Sequence, residues 1–235
     1  MTLEQLRQAV CDANRALASH RLVTLTWGNV SGRSDDGELM AIKPSGVPYA
    51  ELSAEQIVVV RIATGDVVLG DLRPSSDTPT HRVLYEAFRG VGGVTHTHSP
   101  RATAWAQARR ALPCFGSTHA DHFHGPVPVT RGLTAEEVAD DYETQTGRVI
   151  VERFERIDPQ ATPGVLVAGH APFTWGATPA ASVENAVALE AVAAMALDTL
   201  QLDAAARPLE PHLLDKHHER KHGADAYYGQ TAEDR

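Results

Sequence analysis

The chain has 235 residues, of which 43% are hydrophobic and 22% charged, a length and composition suited to a globular protein with a sizeable core. Its formal net charge of −9 argues against a general nucleic-acid-binding protein, which needs a basic surface to displace phosphate counterions, but leaves room for a small anionic substrate in a locally positive pocket. Cys11 and Cys114 are its two cysteines, so we expect neither a disulfide framework nor a cysteine-based zinc or redox site.

Neither the N-terminus nor the most apolar stretch indicates an exported or membrane protein. The first 20 residues carry acidic and polar side chains where a signal peptide would have an apolar run. The stretch 182–200 is apolar but contains Glu184, Glu190 and Asp198, which makes it a poor membrane span. We therefore expect a cytoplasmic protein with no membrane partner.

The first part of the chain predicts a helix followed by strands. Apolar residues at helical spacing from Leu3 to Leu17 predict an amphipathic helix. LVTLTWGNVSGR, residues 22–33, predicts a strand that runs into a turn. IVVVRIATGDVVLGD, residues 57–71, predicts a β-hairpin with its turn at Thr64-Gly65-Asp66.

The rest of the chain alternates predicted helices and strands. Thr78-Pro79 predicts the start of a helix that ends near Phe88, and a break at Gly92-Gly93 precedes the short strand GVTHTHS. Residues 101–109 predict a helix, residues 113–128 a loop and strand region, and GVLVAGH a buried strand that ends at residue 170. Helices are predicted from Thr178-Pro179 to about residue 200 and over LLDKHHERKH. With no repeat or linker, one α/β domain over residues 1–235 is the simplest organisation.

Two histidines in the strand GVTHTHS indicate a metal site. Residues two apart on a strand point to the same face, so His96 and His98 can offer nitrogen to one divalent ion. His170 is a candidate third ligand and Asp77 a candidate fourth. Imidazoles outnumber carboxylates in this set, which favours zinc over magnesium and leaves manganese and cobalt open. The alternative is a pair of solvated or hydrogen-bonded histidines.

Three segments combine small, hydroxyl-bearing or glycine residues in a way that suits a phosphate group. They are Gly28-Asn29, Lys43-Pro44-Ser45-Gly46, and Ser75-Ser76 just before the helix that starts near Thr78. Each alone is also an ordinary turn or capping stretch. They indicate a phosphate site only if folding gathers them beside the metal.

Seven motifs together resemble those of the L-ribulose-5-phosphate 4-epimerase family, a branch of the class II aldolase and epimerase superfamily. In chain order they are WGNVS, IKPSG, PSSDTPTH, GGVTHTHS, THADHFHG, GHAPFTWG and DKHHERKHGADAYYGQ. The resemblance runs from about Leu3 to Gln230. It implies a single α/β domain with a central, mainly antiparallel sheet flanked by helices, assembled as a homotetramer around a four-fold axis.

The resemblance also implies the roles of individual residues. The family's metal ligands correspond to Asp77, His96, His98 and His170. Its phosphate-binding positions correspond to Asn29, Lys43, Ser45, Gly46, Ser75 and Ser76. Its acid/base pair corresponds to Asp121 and to Tyr228, the latter reaching in from a neighbouring subunit. Secondary active-site positions correspond to Ser117, Glu143 and His217.

The implied reaction interconverts L-ribulose 5-phosphate and D-xylulose 5-phosphate, which are phosphorylated ketopentoses. The C4 hydrogen is not acidic, so the family breaks and re-forms the C3–C4 bond by retro-aldol and aldol steps, with a metal as Lewis acid. The C4 oxygen exchanges a proton on opposite faces, a task that suits a carboxylate and a phenol on opposing walls.

A few residues depart from the family pattern, and other functions stay open. Ala171 stands where a glycine is expected, and His122 and His124 add histidine beside the THAD motif. One alternative is a class II aldolase that releases dihydroxyacetone phosphate and an aldehyde, although such enzymes usually carry a glutamate where Asp77 stands. Another is a non-catalytic binding member of the fold, although such members lose metal ligands. The sequence does not distinguish an arabinose from an ascorbate pathway.

Overall fold

The computed structural model describes residues 1–223 and 226–227 and is built around one seven-stranded sheet. The strand order is β4-β3-β2-β1-β5-β7-β6, and every neighbouring pair is antiparallel. The strands are β1 Asn29–Arg33, β2 Leu39–Ile42, β3 Val58–Arg61, β4 Val67–Leu69, β5 Gly93–His96, β6 Gly164–Leu166 and β7 Pro172–Gly176. The helices are α1 Leu3–Ser19, a 3-10 turn Ala54–Gln56, α2 Thr78–Ala87, α3 Pro100–Gln107, α4 Ser117–Ala120, α5 Ala135–Arg153, α6 Pro179–Leu202 and α7 Pro211–His222.

Helices cover both faces of this sheet. Successive side chains of a strand point to opposite faces, and here the residues on both faces are apolar and must be buried. On one face, Met40 and Val60 belong to a core with Leu84 of α2 and Ile150 of α5. On the other face, Val59, which lies between two residues of the first set, packs with residues of α1. The predicted fold class, a mainly antiparallel sheet flanked by helices, is confirmed.

Helix α6 is long and apolar enough to cross a membrane by length and composition, with a mean hydropathy of 1.4 over its most apolar window. In the structure it packs against β5, β7, α1 and α3, with Leu189 and Ala193 buried beside the Trp105 ring of α3. The apolar composition of residues 179–202 is therefore explained by their packing against the sheet and two helices.

Most predicted helices and the hairpin are confirmed, with small shifts at their ends. Helices α1, α6 and α7 form where they were expected, and β3 and β4 pair across a turn at Gly65. Helix α2 begins at Thr78 with Asp77 at its N-cap. The carboxylate of Asp77 makes no capping hydrogen bond there, because it is engaged elsewhere.

Several predicted strands are shorter than expected. Residues 22–28 are irregular because Leu25 adopts a positive φ of 54° and Gly28 one of 87°, so the first strand starts only at Asn29. GVLVAGH leaves the sheet after Leu166 and turns at Gly169. The region 113–128 contains helix α4 and one isolated bridge instead of a strand.

Besides α4 and the 3-10 turn, the sequence patterns missed strands β2 and β7 and helix α5. Strands β2 and β7 are short, and β7 is bounded by Pro172 and Gly176. Helix α5 has few buried residues, and these include the polar Gln145 and Thr146, so it lacks a clear apolar stripe.

Candidate metal centre and anion cleft

Three histidines converge on one point at the end of the sheet. The Nε2 atoms of His96 and His98 lie 3.1 Å apart, and the ring of His170 lies 4.9 Å from one and 5.1 Å from the other. One nitrogen from each residue can be chosen so that all lie within 4.8 Å of one another. Two nitrogens each about 2 Å from a tetrahedral ion are about 3.3 Å apart, so the 3.1 Å between the Nε2 atoms of His96 and His98 fits a shared metal ion.

The local fold explains how these side chains come together. His96 is the last residue of β5, where it pairs with Phe173 of β7 and stacks on its ring at 4.2 Å. His98 lies beyond the end of the strand, not on it as expected. His170 stands in the turn that joins β6 to β7, directly after Gly169.

The hydrogen bonds of two histidines fix which nitrogen is left for an ion. Nδ1 of His96 donates to the carbonyl of Pro172 at 3.0 Å, so its Nε2 carries the lone pair. Nδ1 of His170 lies 3.3 Å from the Tyr142 hydroxyl, which can accept its proton in the same way. Burial lowers the pKa of His98 and, to about 4, that of His170, so both rings are neutral near pH 7. Neutral imidazoles are the form that binds metals.

Asp77 lies beside the histidines at the start of α2. Its carboxylate accepts a hydrogen bond from the Asn29 amide at 2.6 Å. Burial works to raise its pKa, but the imidazoles of His96 and His81 and the bond from Asn29 hold that pKa below its ordinary value. Asp77 is therefore an anion next to the imidazoles, although the set of described residues within 4.8 Å contains only the three histidines.

These residues line one cleft of about 540 Å³. Its walls include every predicted metal and phosphate position together with one of the secondary positions, namely Asn29, Lys43, Ser45, Gly46, Ser75, Ser76, Asp77, His96, His98, Glu143 and His170. Folding thus gathers the three candidate phosphate segments beside the histidines, which is the condition under which they indicate a phosphate site. Trp27 and Tyr142 also line the cleft. The sequence patterns missed both, because nothing in their spacing sets them apart from core aromatics.

Lys43 is the strongest evidence that this cleft holds an anion. Its side chain is only 2% exposed. The ammonium donates to the carbonyl of Pro44 at 3.3 Å and lies 4.9 Å from the centre of the Tyr49 ring, and no ion pair to it is found among the described residues. Burial lowers its pKa to about 8. A buried cation without a charged partner is costly unless a ligand supplies one.

Asp121, one of the two predicted acid/base residues, does not line this cleft. Asp121 lies at the end of α4, where Arg220 of α7 donates to its carboxylate at 2.6 and 3.0 Å and His217 contacts it at 3.2 Å. Partial burial works to raise its pKa, but these hydrogen bonds and positive charges hold the pKa low. Ser117 begins the same short helix and also lies outside the cleft lining. Tyr228 lies outside the described residues.

The fold is an antiparallel sheet between helices, with a histidine triad where its interior strand β5 ends, and these features point to a class II aldolase. The family model described as Class II Aldolase and Adducin N-terminal domain matches residues 8–197, and the chain belongs to this family. The family is metal-dependent, and the triad is a set of residues able to hold a metal.

Curated relatives give a finer assignment, and the resemblance found in the sequence is confirmed. L-ribulose-5-phosphate 4-epimerase UlaF of Salmonella paratyphi C is 49% identical over 228 residues, covering 97% of this chain and 100% of the relative. The protein of the same name from Salmonella typhi is 48% identical over the same shares.

Solved structures share the fold. An L-fuculose 1-phosphate aldolase superposes with a TM-score of 0.78 at 23% identity, covering 92% of this chain and 95% of its own. The L-fuculose-1-phosphate aldolase of Thermus thermophilus gives a TM-score of 0.67 at 23% identity, covering 87% of this chain and 100% of its own.

Proposed function

We propose that this protein is a divalent-metal-dependent L-ribulose-5-phosphate 4-epimerase that interconverts L-ribulose 5-phosphate and D-xylulose 5-phosphate. The observation that carries the proposal is that the histidine triad and the buried Lys43 line the same cleft. Such a cleft has a place for a metal and a place for a phosphate. The near-complete alignment with relatives named for this activity supports the same assignment.

The metal ligands in this proposal are His96, His98 and His170, with Asp77 as the fourth. Three imidazoles and one carboxylate suit zinc, and manganese or cobalt would also be accepted by this donor set. When bound, the ion would supply Lewis-acid polarisation of the sugar's ketone oxygen. The Asn29 amide, which donates to the carboxylate of Asp77, fixes the orientation of that ligand.

The phosphate is held by Lys43 together with Asn29, Ser45, Gly46, Ser75 and Ser76. The Ser45 and Ser75 amides donate to the backbone carbonyls of Arg73 and Lys43, which ties the loops of residues 43–46 and 73–76 to each other. Holding the phosphate keeps the aldehyde fragment in the cleft after the carbon–carbon bond breaks. That retention distinguishes an epimerase from an aldolase that releases both fragments.

The proton transfers are assigned to Asp121 and Tyr228. The C4 hydroxyl gives its proton to one of them as the C3–C4 bond breaks. The electron pair of that bond stays with the ketone fragment. The aldehyde then turns over, and the other residue returns a proton to the C4 oxygen as the bond re-forms. Glu143, Ser117 and His217 are assigned secondary roles around these groups.

We propose that each active site is completed by residues of two chains. Asp121 lies outside the cleft of its own chain, so we propose that it and Tyr228 complete the cleft of a neighbouring subunit in a homotetramer. We also propose that residues 1–235 form one domain, since α7 packs on α4 through Asp121. We place the enzyme in the cytoplasm and in pentose catabolism, for which the arabinose route is one setting.

The test is the interconversion of the two pentose phosphates by the purified protein. We expect conversion that stops when a chelator removes the metal and returns when zinc is added. Absence of conversion by fully metal-loaded protein would contradict the proposal.

An aldolase that releases its products is the second candidate, because the solved structures that share this fold include L-fuculose 1-phosphate aldolases. Incubation with dihydroxyacetone phosphate and an aldehyde separates the two. Efficient condensation without epimerisation of L-ribulose 5-phosphate would establish the aldolase instead.

A further inference from the structure

A second group of histidines lies outside the cleft, where α7 packs against the segment that follows α4. It consists of His124 in that segment and of His218 and His222 on α7. The rings of His124 and His218 have their centres 4.7 Å apart, and those of His218 and His222 are 4.8 Å apart. The corresponding separations in the first triad are 4.9 to 5.1 Å. The proposed reaction assigns no role to these three residues.

Two of these histidines lie on α7 at a spacing that allows both to bind one metal ion. His218 and His222 are four residues apart, so they project from the same face of the helix on successive turns. A pair of histidines at this spacing binds zinc in helical metal sites. His124 comes from a different element, so the three rings together join α7 to the segment after α4.

The hydrogen bonds of two of these rings leave one nitrogen of each available. Nε2 of His222 donates to the backbone carbonyl of Asp121 at 2.8 Å, which leaves Nδ1 with its lone pair. Nε2 of His124 lies 2.8 Å from the carboxylate of Asp215, which also leaves Nδ1. An imidazole held by a carboxylate through one nitrogen is the usual support of a metal-binding histidine.

The surroundings also favour a cation. Burial, followed by the neighbouring His222 and His124, lowers the pKa of His218, so this ring is neutral near pH 7. The carboxylates of Asp158 and Asp215 lie close enough to act on it electrostatically. Imidazoles next to carboxylates form a donor set for a borderline-soft divalent ion.

We propose that His124, His218 and His222 form a second binding site for a divalent transition-metal ion. Zinc is the ion that this site should prefer. Among the residues described, only the first triad has all its ligand atoms within 4.8 Å, so the second site closes by rotation of side chains. His124 and Asp215 are 41% and 55% exposed, so the hydrogen-bonded pair has room to move together. The bound ion fastens α7 to the segment that carries Asp121.

The test compares zinc content in three proteins after loading with zinc and dialysis at a low micromolar free concentration. His218→Phe removes the central ligand while keeping a ring of similar size. His212→Phe removes another histidine of α7 that makes no ring contact with this group. We expect His218→Phe to hold one zinc fewer per chain than the wild type, and His212→Phe to equal the wild type.

This comparison does not depend on whether the first triad is filled, because it rests on the difference between proteins. Equal zinc content in His218→Phe and the wild type overturns the proposal. So does an equal loss in both variants, which would mean unspecific binding by surface histidines.

A second measurement tests the fastening of α7. Hydrogen exchange of the amides of residues 211–222 should slow when zinc is added to the wild type and stay unchanged in His218→Phe. Identical slowing in both proteins would show that zinc acts on α7 from elsewhere, and the proposed site would then be wrong.

Discussion

A single buried amine, that of Lys43, links the electrostatics of the cleft to its ligand. Its neighbours are a carbonyl and an aromatic ring, and these do not balance a full positive charge. A phosphate dianion entering the cleft would supply that balance and would in turn raise the pKa of Lys43, which burial lowers. The affinity for phosphate should therefore depend on the protonation of this one group.

The first prediction concerns pH. The pKa of Lys43 is lowered to about 8, so the free cleft loses its positive charge as the pH rises through that value. Phosphate affinity should be high below pH 8 and fall above it, by at most about tenfold per pH unit. Titration with inorganic phosphate from neutral to moderately alkaline pH measures this.

Two variants of Lys43 serve as controls for that titration. Lys43→Arg stays charged throughout the range, so its affinity should not fall above pH 8. Lys43→Met should bind phosphate about 10- to 100-fold more weakly at neutral pH, the effect of losing a charged hydrogen-bond donor. A wild-type profile parallel to that of Lys43→Arg would contradict the assignment.

The second prediction separates metal binding from proton transfer. His96→Asn removes a proposed ligand and should weaken zinc binding by more than about 100-fold, with a loss of rate. Tyr228→Phe should bind zinc normally and epimerise about 10²- to 10⁴-fold more slowly, because it loses only a proton donor. Zinc titration and turnover are measured on both. Near-native turnover in both variants would mean that the roles are wrong.

At the scale of elements, the contact between α2 and α5 positions one wall of the cleft. Gly147 of α5 lies so close to α2 that an added Cβ would come within 2.7 Å of the Val83 Cβ and 3.2 Å of the Thr80 carbonyl. The same pair of helices carries Asp77 at the start of α2 and Tyr142 and Glu143 in α5. The contact between the two helices therefore positions cleft residues from both of them.

The third prediction follows from this contact. An alanine in a helix is ordinarily more stable than a glycine, but Gly147→Ala should destabilise the protein by about 1–3 kcal/mol because the helices must separate. Gly132→Ala, where an added Cβ meets no atom within 4 Å, is the matched control. Urea unfolding measures both. Equal or greater stability of Gly147→Ala would show that the helices yield without cost.

The elements that the sequence predicted well are those with a strong local signal. Helix α6 has Thr178 as an N-cap, Pro179 in its first turn and an apolar body, and its start was placed correctly. Helix α5 has a capping box at Thr134 but few buried residues, so its packing depends on partners distant in sequence. Strand β7 is likewise defined by its partner β5, which no local pattern reveals.

The candidate site shows the same division between local and distant information. The pairing of His96 with His98 followed from their spacing, although only His96 lies on the strand. The convergence of Lys43 on this pair could be expected only through the family resemblance, since β2 and β5 are separated by β1 in the sheet. The burial of Lys43 and the contact of Tyr142 with His170 depend on the folded structure.

For the whole molecule, the separation of Asp121 from the histidine cleft leads to the fourth prediction. If each cleft takes its metal ligands from one chain and its acid/base residues from another, two inactive variants should complement each other. Hybrid oligomers of His96→Asn and Asp121→Asn chains should regain up to about a quarter of the wild-type sites, for random mixing at equal amounts. Co-expression with two affinity tags, followed by an epimerase assay of the purified hybrids, measures this.

The control for complementation uses two variants that damage the same half of the site. Hybrids of His96→Asn and His170→Asn chains should stay inactive, because no cleft in them has a complete triad. If hybrids of His96→Asn and Asp121→Asn chains are no more active than either variant alone, each chain supplies its own acid and base.

The order of elements along the chain has a consequence for the synthesis of the protein. Helix α6, whose composition would suit a bilayer, follows all seven strands in sequence. When this segment leaves the ribosome, the sheet and the α1 and α3 surfaces on which it packs have therefore already been made. The most apolar stretch of the chain thus spends little time without a partner, and competition from membrane insertion or aggregation is confined to the short interval before it docks.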